Sequence, residues 1–596
     1  MDEHELRELI GALKAGRLSR RNFVLRMAAL GLAAPIAGRL LAHAGLAQIP
    51  AKTAYEPSKA GGGGALKLLS WQAATVINPH FATGSKDQDG SRIFYEPLAA
   101  WDPDGNLVPV LAAEIPDLEN GGVAADGMSV TWKLKRGVAW HDGQPFTADD
   151  VVFNWEYATD PATAATTLGP YLDAKFEKID ASTVRVRFDR PTPFWAATAN
   201  VMIIPKHLFQ DFKGAGSRDA PANLKPVGTG PYRFVDFKPG DLILGERNPA
   251  YHLPNRPYFD TIELKGGGDA VSAARAVIQT GEYDYAGNMQ VEDEILLRLE
   301  NGGHAKGRIE IVPAMGIENI QLNRTDPWSE VDGERPSAKT VHPVYGDPAV
   351  RQALRLLVDR ASVQAYIYGR TGVATGNFIN APPRFVSNNT HWEFNIDKAN
   401  QVLDQAGWQR GSDGIRAKDG KQLRLVYQTS TNAPRQKTQA IVKQACQKAG
   451  IEIEIKSVMA SVYFSSDVAN PDTSRKFYAD LQMSTTGFPS PPDPETLMRQ
   501  FLSWEVAARD NKWTGRNFTR WRSDGYDQAF RAAEGELDPV KRAALFIAMN
   551  DMVVADTVVI PIVHRPQVSA VSNKLKARLS AWASTFWNLQ DWYREA

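Results

Sequence analysis

The sequence predicts an α/β protein built from more than one domain, and two observations support this. The chain has 596 residues, more than a single hydrophobic core usually serves, so two or three domains are expected. A capped amphipathic helix over residues 397–407 is followed by a hairpin-like segment, a second helix and a strand at residues 451–455. Strand, helix and strand in this order are typical of α/β folds.

The composition excludes several functional classes. Lys and Arg together number 68, as do Asp and Glu, so no net charge attracts the chain to nucleic acid. The single cysteine, Cys446, rules out an internal disulfide and lies on the apolar side of a predicted helix. The histidines show no HExxH or similar spacing that would place two metal ligands on one face. We therefore expect no cofactor and no structural metal site, although dispersed histidines could still bind a metal carried by a ligand.

Residues 1–47 have the character of an export signal. The segment SRRNFVL at residues 19–25, with the pair Arg20 and Arg21, resembles the twin-arginine motif and precedes an apolar run at residues 27–38. Cleavage after residue 44 or 47 would release the mature chain, and no cysteine lies nearby for a lipid anchor. The prediction is a periplasmic protein that uses the twin-arginine translocase. The alternative is an ordinary N-terminal helix with a chance arginine pair.

Folded structure is predicted to begin at Ala65. Residues 48–64 are polar and rich in Gly and Pro, which predicts a flexible leader. Residues 65–71, ALKLLSW, have the composition of a strand.

Residues 342–369 predict one long helix. Asp347 can cap its N-terminus and Pro348 suits its first position, while Gly369 can end it. The helical spacing of apolar residues defines a buried face made of Val350, Ala353, Leu354, Leu357, Val358 and Ala361. The sequence DPAVRQALRLLVDR resembles a segment of the family 5 solute-binding proteins, the peptide/nickel-type receptors of ABC importers.

Further blocks in the same order resemble that family. They are YEPLAAWDPDGNLVPVLAAEI at residues 95–115, the strand, turn and helix of residues 126–157, the PVGTGPYRF loop at residues 226–234, NPAYHLPNRPY at residues 248–258 and the final FWN at residues 586–588. In the second block, Val130 and Trp132 alternate with polar residues as in a half-buried strand. His141, Asp142 and Gly143 suit a turn, and Thr147 can cap the helix that follows.

The resemblance implies a two-lobed periplasmic-binding-protein fold of type II, in the large cluster with an extra subdomain and a hinge between the lobes. The implied organisation is lobe 1 at residues 65–317 with the subdomain at about 96–215, lobe 2 at 318–556 and a return to lobe 1 at 557–596. It implies a non-catalytic receptor that captures a small solute, an oligopeptide or a related compound, by lobe closure and delivers it to an ABC permease. A monomer is expected, because the receptor must dock on that permease.

Six residues are candidates for ligand contact. Trp71 and Gln72 stand at the end of the first predicted strand, which in the resembled family reaches the edge of the cleft. The others are Phe488, Ser490, Tyr463 and Trp504. Peptide-binding relatives carry an aspartate, which pairs with the ligand's α-ammonium, at the position where this chain has Ser490. Since a hydroxyl cannot supply a charge-assisted bond worth about 1.5–3 kcal/mol, free-amine peptides are a less secure expectation. Trp71 could equally be a core aromatic, and Asp493 could cap a helix.

Two other functions stay open from the sequence. One is a periplasmic chaperone on the same fold, and the other is an exported hydrolase, although neither a G-x-S-x-G nor a zincin motif occurs. The ligand could be a peptide, an opine, a sugar or a metal chelate, because related folds change specificity through a few side chains.

Overall fold

The computed structural model describes residues 58–193, 195–487, 490–582 and 584–595. The predicted export motif, including Arg20 and Arg21, lies outside these residues. Among the described helices, none is long and apolar enough to cross a membrane.

The described strands and α-helices are numbered in chain order. The strands are β1 Ala65–Ser70, β2 Ala99–Trp101, β3 Leu107–Pro109, β4 Ser129–Lys133, β5 Ala174–Asp180, β6 Thr183–Phe188, β7 Tyr232–Lys238, β8 Leu242–Arg247, β9 Thr261–Gly266, β10 Tyr285–Gly287, β11 Gly307–Val312, β12 Ile317–Leu322, β13 Val373–Ala374, β14 Gln409–Arg410, β15 Arg416–Lys418, β16 Lys421–Gln422, β17 Arg424–Ser430, β18 Glu452–Val458, β19 Leu481–Thr486, β20 Val559–His564, β21 Gln567–Ser572, β22 Leu575–Lys576 and β23 Tyr593–Arg594. The α-helices are α1 Ser85–Arg92, α2 Ala148–Thr159, α3 Lys206–Phe209, α4 Ala270–Arg275, α5 Asp293–Glu300, α6 Pro348–Leu356, α7 Arg360–Val363, α8 Ile396–Gln405, α9 Ala433–Lys448, α10 Ala460–Tyr463, α11 Glu495–Met498, α12 Asp524–Gly535 and α13 Pro539–Ala555.

Lobe 1 is built on a seven-stranded mixed sheet with the order β11-β21-β10-β1-β9-β8-β7. The first strand, β1, lies near its centre and runs parallel to both β10 and β9, with Leu68 opposite Tyr285 and Leu264. β21 is antiparallel to both of its neighbours, β10 and β11. The carboxyl end of β1, at Leu69 and Ser70, lines a cavity together with Arg435 and Thr485 of the second lobe, as expected for the ligand-binding edge of a sheet.

Lobe 2 is built on a six-stranded sheet with the order β13-β20-β12-β19-β17-β18. β17 is parallel to β18 and β19, whereas β12 is antiparallel to β19 and β20. The helix α9 packs on β17 and β18, and its Cys446 is buried. This mixed sheet with covering helices is the predicted α/β architecture.

The chain crosses between the sheets twice, and the two crossings lie side by side. The first joins β11 to β12 at residues 313–316, and the second joins β20 to β21 at Arg565 and Pro566. The Arg565 amide donates to Gly316 O at 2.8 Å, and His564 Nε2 lies 2.9 Å from Ala314 O. Because β20 pairs in the second sheet, the return to lobe 1 falls after His564 and not after residue 556, as the sequence had suggested.

A separate three-stranded sheet, β4-β6-β5, forms the core of the subdomain inserted in lobe 1. Val130 and Trp132 of β4 are buried, as the alternation predicted. Thr147 caps α2 in a capping box with Asp150, which was also predicted. His141 is structural, because its backbone amide donates to Gly228 O at 2.8 Å and its Nδ1 accepts the Gly228 amide at 3.1 Å.

The glycine run before β1 is ordered structure, so the predicted flexible leader is wrong from Gly61 onward. The Asp260 carboxylate accepts hydrogen bonds from the amides of Gly62 and Gly64 at 3.0 Å. Gly63 lies against Tyr258 so closely that a Cβ would sit 2.4 Å from the ring. Positive φ angles at Gly61, Gly62 and Gly64 also require glycine. The glycines resemble a linker in composition, but here they allow the backbone to pack closely against Tyr258 and Asp260.

The single long helix predicted within residues 342–369 is instead divided into α6 and α7. Asp347 does cap α6, accepting the Ala349 amide at 2.9 Å, and the apolar face is buried through Val358. However, α6 ends at Leu356, because Asp359 caps a new helix, α7, by accepting the Ser362 amide at 3.0 Å. Ala361 consequently falls on the exposed side.

Candidate functional site

A cavity lies between the two lobes, beside the paired crossings. Lobe 1 supplies the ends of β1 and β10 and the start of α1, while lobe 2 supplies side chains of α9 and β19. The space between these walls, including the part open to solvent, is about 1010 Å³.

Buried polar contacts fix the start of α1 at the floor of this cavity. Asp87 accepts the Thr75 amide at 2.8 Å and the Thr83 amide at 3.0 Å, so it joins two loops to the helix. Lys86 donates to the Asp87 carboxylate at 2.6 Å and to Thr75 Oγ1 at 2.8 Å. The charge of Lys86 is therefore balanced within the fold.

Asp89, two residues further along α1, lines the same cavity. Its Oδ1 accepts hydrogen bonds from Ser584 Oγ at 2.6 Å and from the Thr585 amide at 3.0 Å. Burial raises the pKa of Asp89 to about 6, although these hydrogen bonds oppose the shift. Hydrogen bonds from Ser584 and Thr585 thus orient the Asp89 carboxylate, but neither residue carries a positive charge that would neutralise it.

The facing wall of lobe 2 contains a buried ionic network next to the crossings. Glu318, at the start of β12, accepts from Arg435 Nε at 2.8 Å. Arg565 and Arg435 both donate to Thr485 Oγ1, at 2.6 and 3.0 Å. Burial alone would raise the pKa of Glu318, but the two guanidinium groups hold it below the usual value. These ionic contacts and hydrogen bonds therefore connect β12, α9, β19 and the second crossing.

A second cavity adjoins the first at the start of α1, where Gly84 lines both. Its walls come from lobe 1 with the subdomain, represented by Arg92 and Pro170, and from lobe 2, represented by Pro491 and Arg516. The space enclosed by these walls is about 1060 Å³, including the part open to solvent. The two cavities together form an extended cleft rather than a compact pocket.

Ion pairs between the subdomain and α12 close the rim of this cleft. Arg190 Nη2 lies 2.5 Å from Glu534 Oε2, and Arg531 Nη1 lies 3.6 Å from Asp173 Oδ2. Arg190 also lies 3.5 Å from Asp173. Charged groups from both lobes therefore alternate at the rim, and the structure has the lobes in contact.

The first two candidate residues lie at the end of β1. Gln72 lines the cavity, and its side-chain carbonyl accepts from Asn288 Nδ2 at 3.0 Å. Trp71 is buried in the lobe 1 core and donates its indole N–H to Asn288 O at 2.7 Å. The structure thus places Gln72 at the cleft and Trp71 behind it.

Of the other four candidates, the three that the structure describes are not brought together. Phe488 lies outside the described residues. Ser490 is buried next to Pro491, a residue of the second cavity. Tyr463 is fully buried, with its hydroxyl 3.3 Å from Gln482 Oε1. Trp504 is 41% exposed with the Arg531 guanidinium 4.1 Å from its ring centroid, and it is not among the residues that line the two cavities.

Several cavity-lining residues escaped the sequence analysis. They are Asp89, Asn288, Arg435, Phe464, Thr485 and Thr585. Phe464 directly follows the candidate Tyr463, and of these two neighbouring residues only Phe464 lines the cavity. The sequence also allows Asp493 to cap a helix. In the structure its carboxylate accepts the Glu495 amide at 3.0 Å and forms an ion pair with Arg542 at 2.7 Å.

The cleft has the chemistry of a binding site. It combines polar groups from both lobes with aromatic rings such as Phe464 and Phe586. Among the described residues, no group of three or more His, Cys, Asp or Glu side chains could hold a metal ion. Two sheets joined by adjacent crossings, with this cleft between them, define a two-lobed solute receptor.

The chain belongs to the bacterial extracellular solute-binding proteins, family 5, whose family model matches residues 106–508. It is 28% identical to the oligopeptide-binding protein AppA of Bacillus subtilis, over 68% of this chain and 71% of that protein. It is 24% identical to the glutathione-binding protein GsiB of Shigella boydii, over 84% of this chain and 89% of that one.

The fold is also that of NikZ from Campylobacter jejuni, solved in complex with Ni(L-His). The TM-score is 0.74 at 21% identity, over 89% of this chain and 99% of NikZ. The chain is therefore an extracytoplasmic substrate-binding receptor of an ABC importer, and neither the chaperone nor the hydrolase alternative fits these relatives.

Proposed function

We propose that this receptor captures a small solute, an oligopeptide or a related compound, by closing its two lobes over the extended cleft. The observation that supports this most directly is the pair of adjacent crossings, joined by the hydrogen bond from the Arg565 amide to Gly316 O. Two short parallel connections allow bending about one axis, and ligand contact with both walls favours the closed state.

A peptide-like ligand also accounts for the shape and polarity of the cleft. Its two connected cavities suit an elongated molecule, and groups such as Gln72 and Asn288 offer amide chemistry to a backbone-like ligand. The relatives described as binding oligopeptides and glutathione share this ligand type. The role is that of binding and delivery, without catalysis.

Thermal-shift titration with trialanine, a nonapeptide, glutathione and mannopinic acid tests this proposal. At least one compound should raise the melting temperature with saturating dependence on concentration, and X-ray scattering should show a smaller radius of gyration when it is bound. Ser85→Trp, which adds bulk to the cavity wall, should abolish the shift, whereas Ala532→Trp on the exposed face of α12 should not. The proposal fails if none of the four compounds shifts the transition.

We also propose that the chain reaches the periplasm through the twin-arginine translocase and acts there as a monomer without a lipid anchor. The motif SRRNFVL supports the export route. Replacing Arg20 and Arg21 together by Lys should retain the protein in the cytoplasm, whereas Arg17→Lys should leave export intact. Light scattering on the exported protein should give the mass of one chain; a dimer mass would contradict the second part.

A further inference from the structure

Asp89 presents an uncompensated negative charge to the inter-lobe cavity. Three charged side chains line that cavity, namely Lys86, Asp89 and Arg435. Lys86 is paired with Asp87 at 2.6 Å and Arg435 with Glu318 at 2.8 Å. Within the described part of the chain, no cationic side chain forms an ion pair with Asp89. The cavity therefore has one carboxylate available to an incoming group.

The surroundings hold this carboxylate ready for a hydrogen-bond donor. Both donors from the C-terminal segment, Ser584 Oγ and the Thr585 amide, reach the same oxygen, Oδ1. Asn288 lines the same cavity, and its Nδ2 donates to Gln72, which leaves its side-chain oxygen Oδ1 as an acceptor. The rings of Tyr285, Phe464 and Phe586 complete the wall, and aromatic rings favour a nearby cation.

We propose that Asp89 binds a protonated primary amine of the transported solute and so determines which compounds the receptor accepts. An ammonium group brings several N–H donors and a positive charge, matching a carboxylate with neighbouring neutral acceptors. A carboxylate ligand would meet Asp89 with like charge. This inference rests on the proposed function and names the chemical group recognised at that same site.

Paired probes test the inference: trialanine with N-acetyl-trialanine, and glutathione with N-acetyl-glutathione, titrated by calorimetry. For the wild-type protein, at least one free amine should bind about tenfold or more tightly than its acetylated partner, as loss of a charged hydrogen bond implies. In Asp89→Asn, which keeps the acceptor for Ser584 and Thr585, that preference should disappear. Asp211→Asn, an exposed carboxylate elsewhere in lobe 1, should retain it.

The outcomes separate the two proposals. If acetylated and free forms bind the wild-type protein equally, or if Asp89→Asn keeps the preference, the role of Asp89 is overturned while the receptor proposal stands. If none of the four probes binds the wild-type protein, the peptide-like ligand proposal and this inference fall together. A melting temperature of Asp89→Asn close to that of the wild-type protein shows that lost binding is not lost folding.

Discussion

Arg190 in the subdomain of lobe 1 forms an ion pair with Glu534 on α12 of lobe 2, with Nη2 and Oε2 2.5 Å apart. Glu534 is also approached by Arg499 Nη2 at 3.3 Å and Arg531 Nη1 at 3.1 Å, so it is the centre of a cluster at the cleft rim. This contact can form only when the lobes are close together. It therefore favours the closed state without touching the ligand.

Arg190→Ala should weaken ligand binding about two- to fivefold, because a partly exposed ion pair contributes up to about 1 kcal/mol. The loss should appear mainly as faster dissociation, measured by stopped-flow fluorescence with whichever probe binds. Arg187→Ala is the matched control, since Arg187 pairs with Glu177 inside the subdomain at 2.9 Å. Equal effects of the two substitutions would show that the rim contact does not influence closure.

Asp89→Asn should stabilise the ligand-free protein at high pH and have little effect at low pH. Burial raises the pKa of Asp89 in the folded state to about 6, so the folded protein prefers the protonated form. The ionised carboxylate therefore costs stability above pH 6, and this cost fades as the pH falls toward 4. The variant should melt about 1–2 °C above the wild-type protein at pH 8, and the two should converge at pH 4.

The matched control for this experiment is Asp211→Asn, which should follow the wild-type curve at both pH values. A difference between Asp89→Asn and the wild-type protein that does not change with pH would contradict the assigned charge cost. If Asp89→Asn is more stable than the wild-type protein but binds ligand less tightly, the negative charge of Asp89 contributes to ligand binding and not to stability.

Buried histidines in lobe 1 should make the protein less stable in mild acid. Burial lowers the pKa of His80 to about 4, against the effect of a hydrogen bond with Asn154, and that of His141 to about 4. Since an unfolded chain binds these protons near pH 6.5, stability falls as the pH drops from 7 toward 4. Each histidine should cost about 2 kcal/mol between pH 7 and pH 5.

Urea unfolding of the ligand-free protein at pH 7 and pH 5 measures this loss. His80→Gln should reduce the difference between the two pH values, even if it lowers stability at both. The exposed residue His304 provides the control, because His304→Gln should leave the difference unchanged. If His80→Gln behaves like His304→Gln, the buried histidine is not the source of the acid sensitivity.

Gly228→Ala should destabilise lobe 1 severely. A Cβ at Gly228 would lie 1.8 Å from Phe94 O, and two hydrogen bonds between the Gly228 backbone and His141 hold the loop in place. We expect a loss of roughly 3 kcal/mol or more, measured by urea unfolding. Gly216→Ala, where no atom lies within 4 Å of the added group, should change stability by less than about 0.5 kcal/mol.

Helix caps and strand alternation could be predicted from the sequence because they depend on residues that are close together in the chain. The capping box of Thr147 and Asp150 and the cap at Asp347 each involve residues a few positions apart. The alternation of Val130 and Trp132 likewise reflects one strand with one buried face. The break at Asp359 was missed because its capping side chain looked like one more polar residue on a helix surface.

The cleft was less predictable, because its walls meet through long-range contacts. Asp89 is held by Ser584, which is 495 positions away in the sequence, and the polar run SKDQDGSR of α1 gives no sign of a binding role. Tyr463 and Phe464 are adjacent aromatic residues, and the sequence does not show that Phe464 lines the cavity while Tyr463 is fully buried. The glycines before β1 have the composition of a linker, and only the structure shows that they pack against Tyr258 and Asp260.

The paired crossings also determine when each lobe can be completed during synthesis. β20 lies between β13 and β12 in one sheet, and β21 lies between β11 and β10 in the other. Residues 559–572, which are translated after every other strand of these two sheets, therefore complete both sheets, including the one begun by β1 at Ala65. Because such distant pairing is slow, neither lobe can reach its native sheet on the ribosome before this segment emerges. Truncation before it would leave two unfinished sheets with exposed edges instead of one intact lobe.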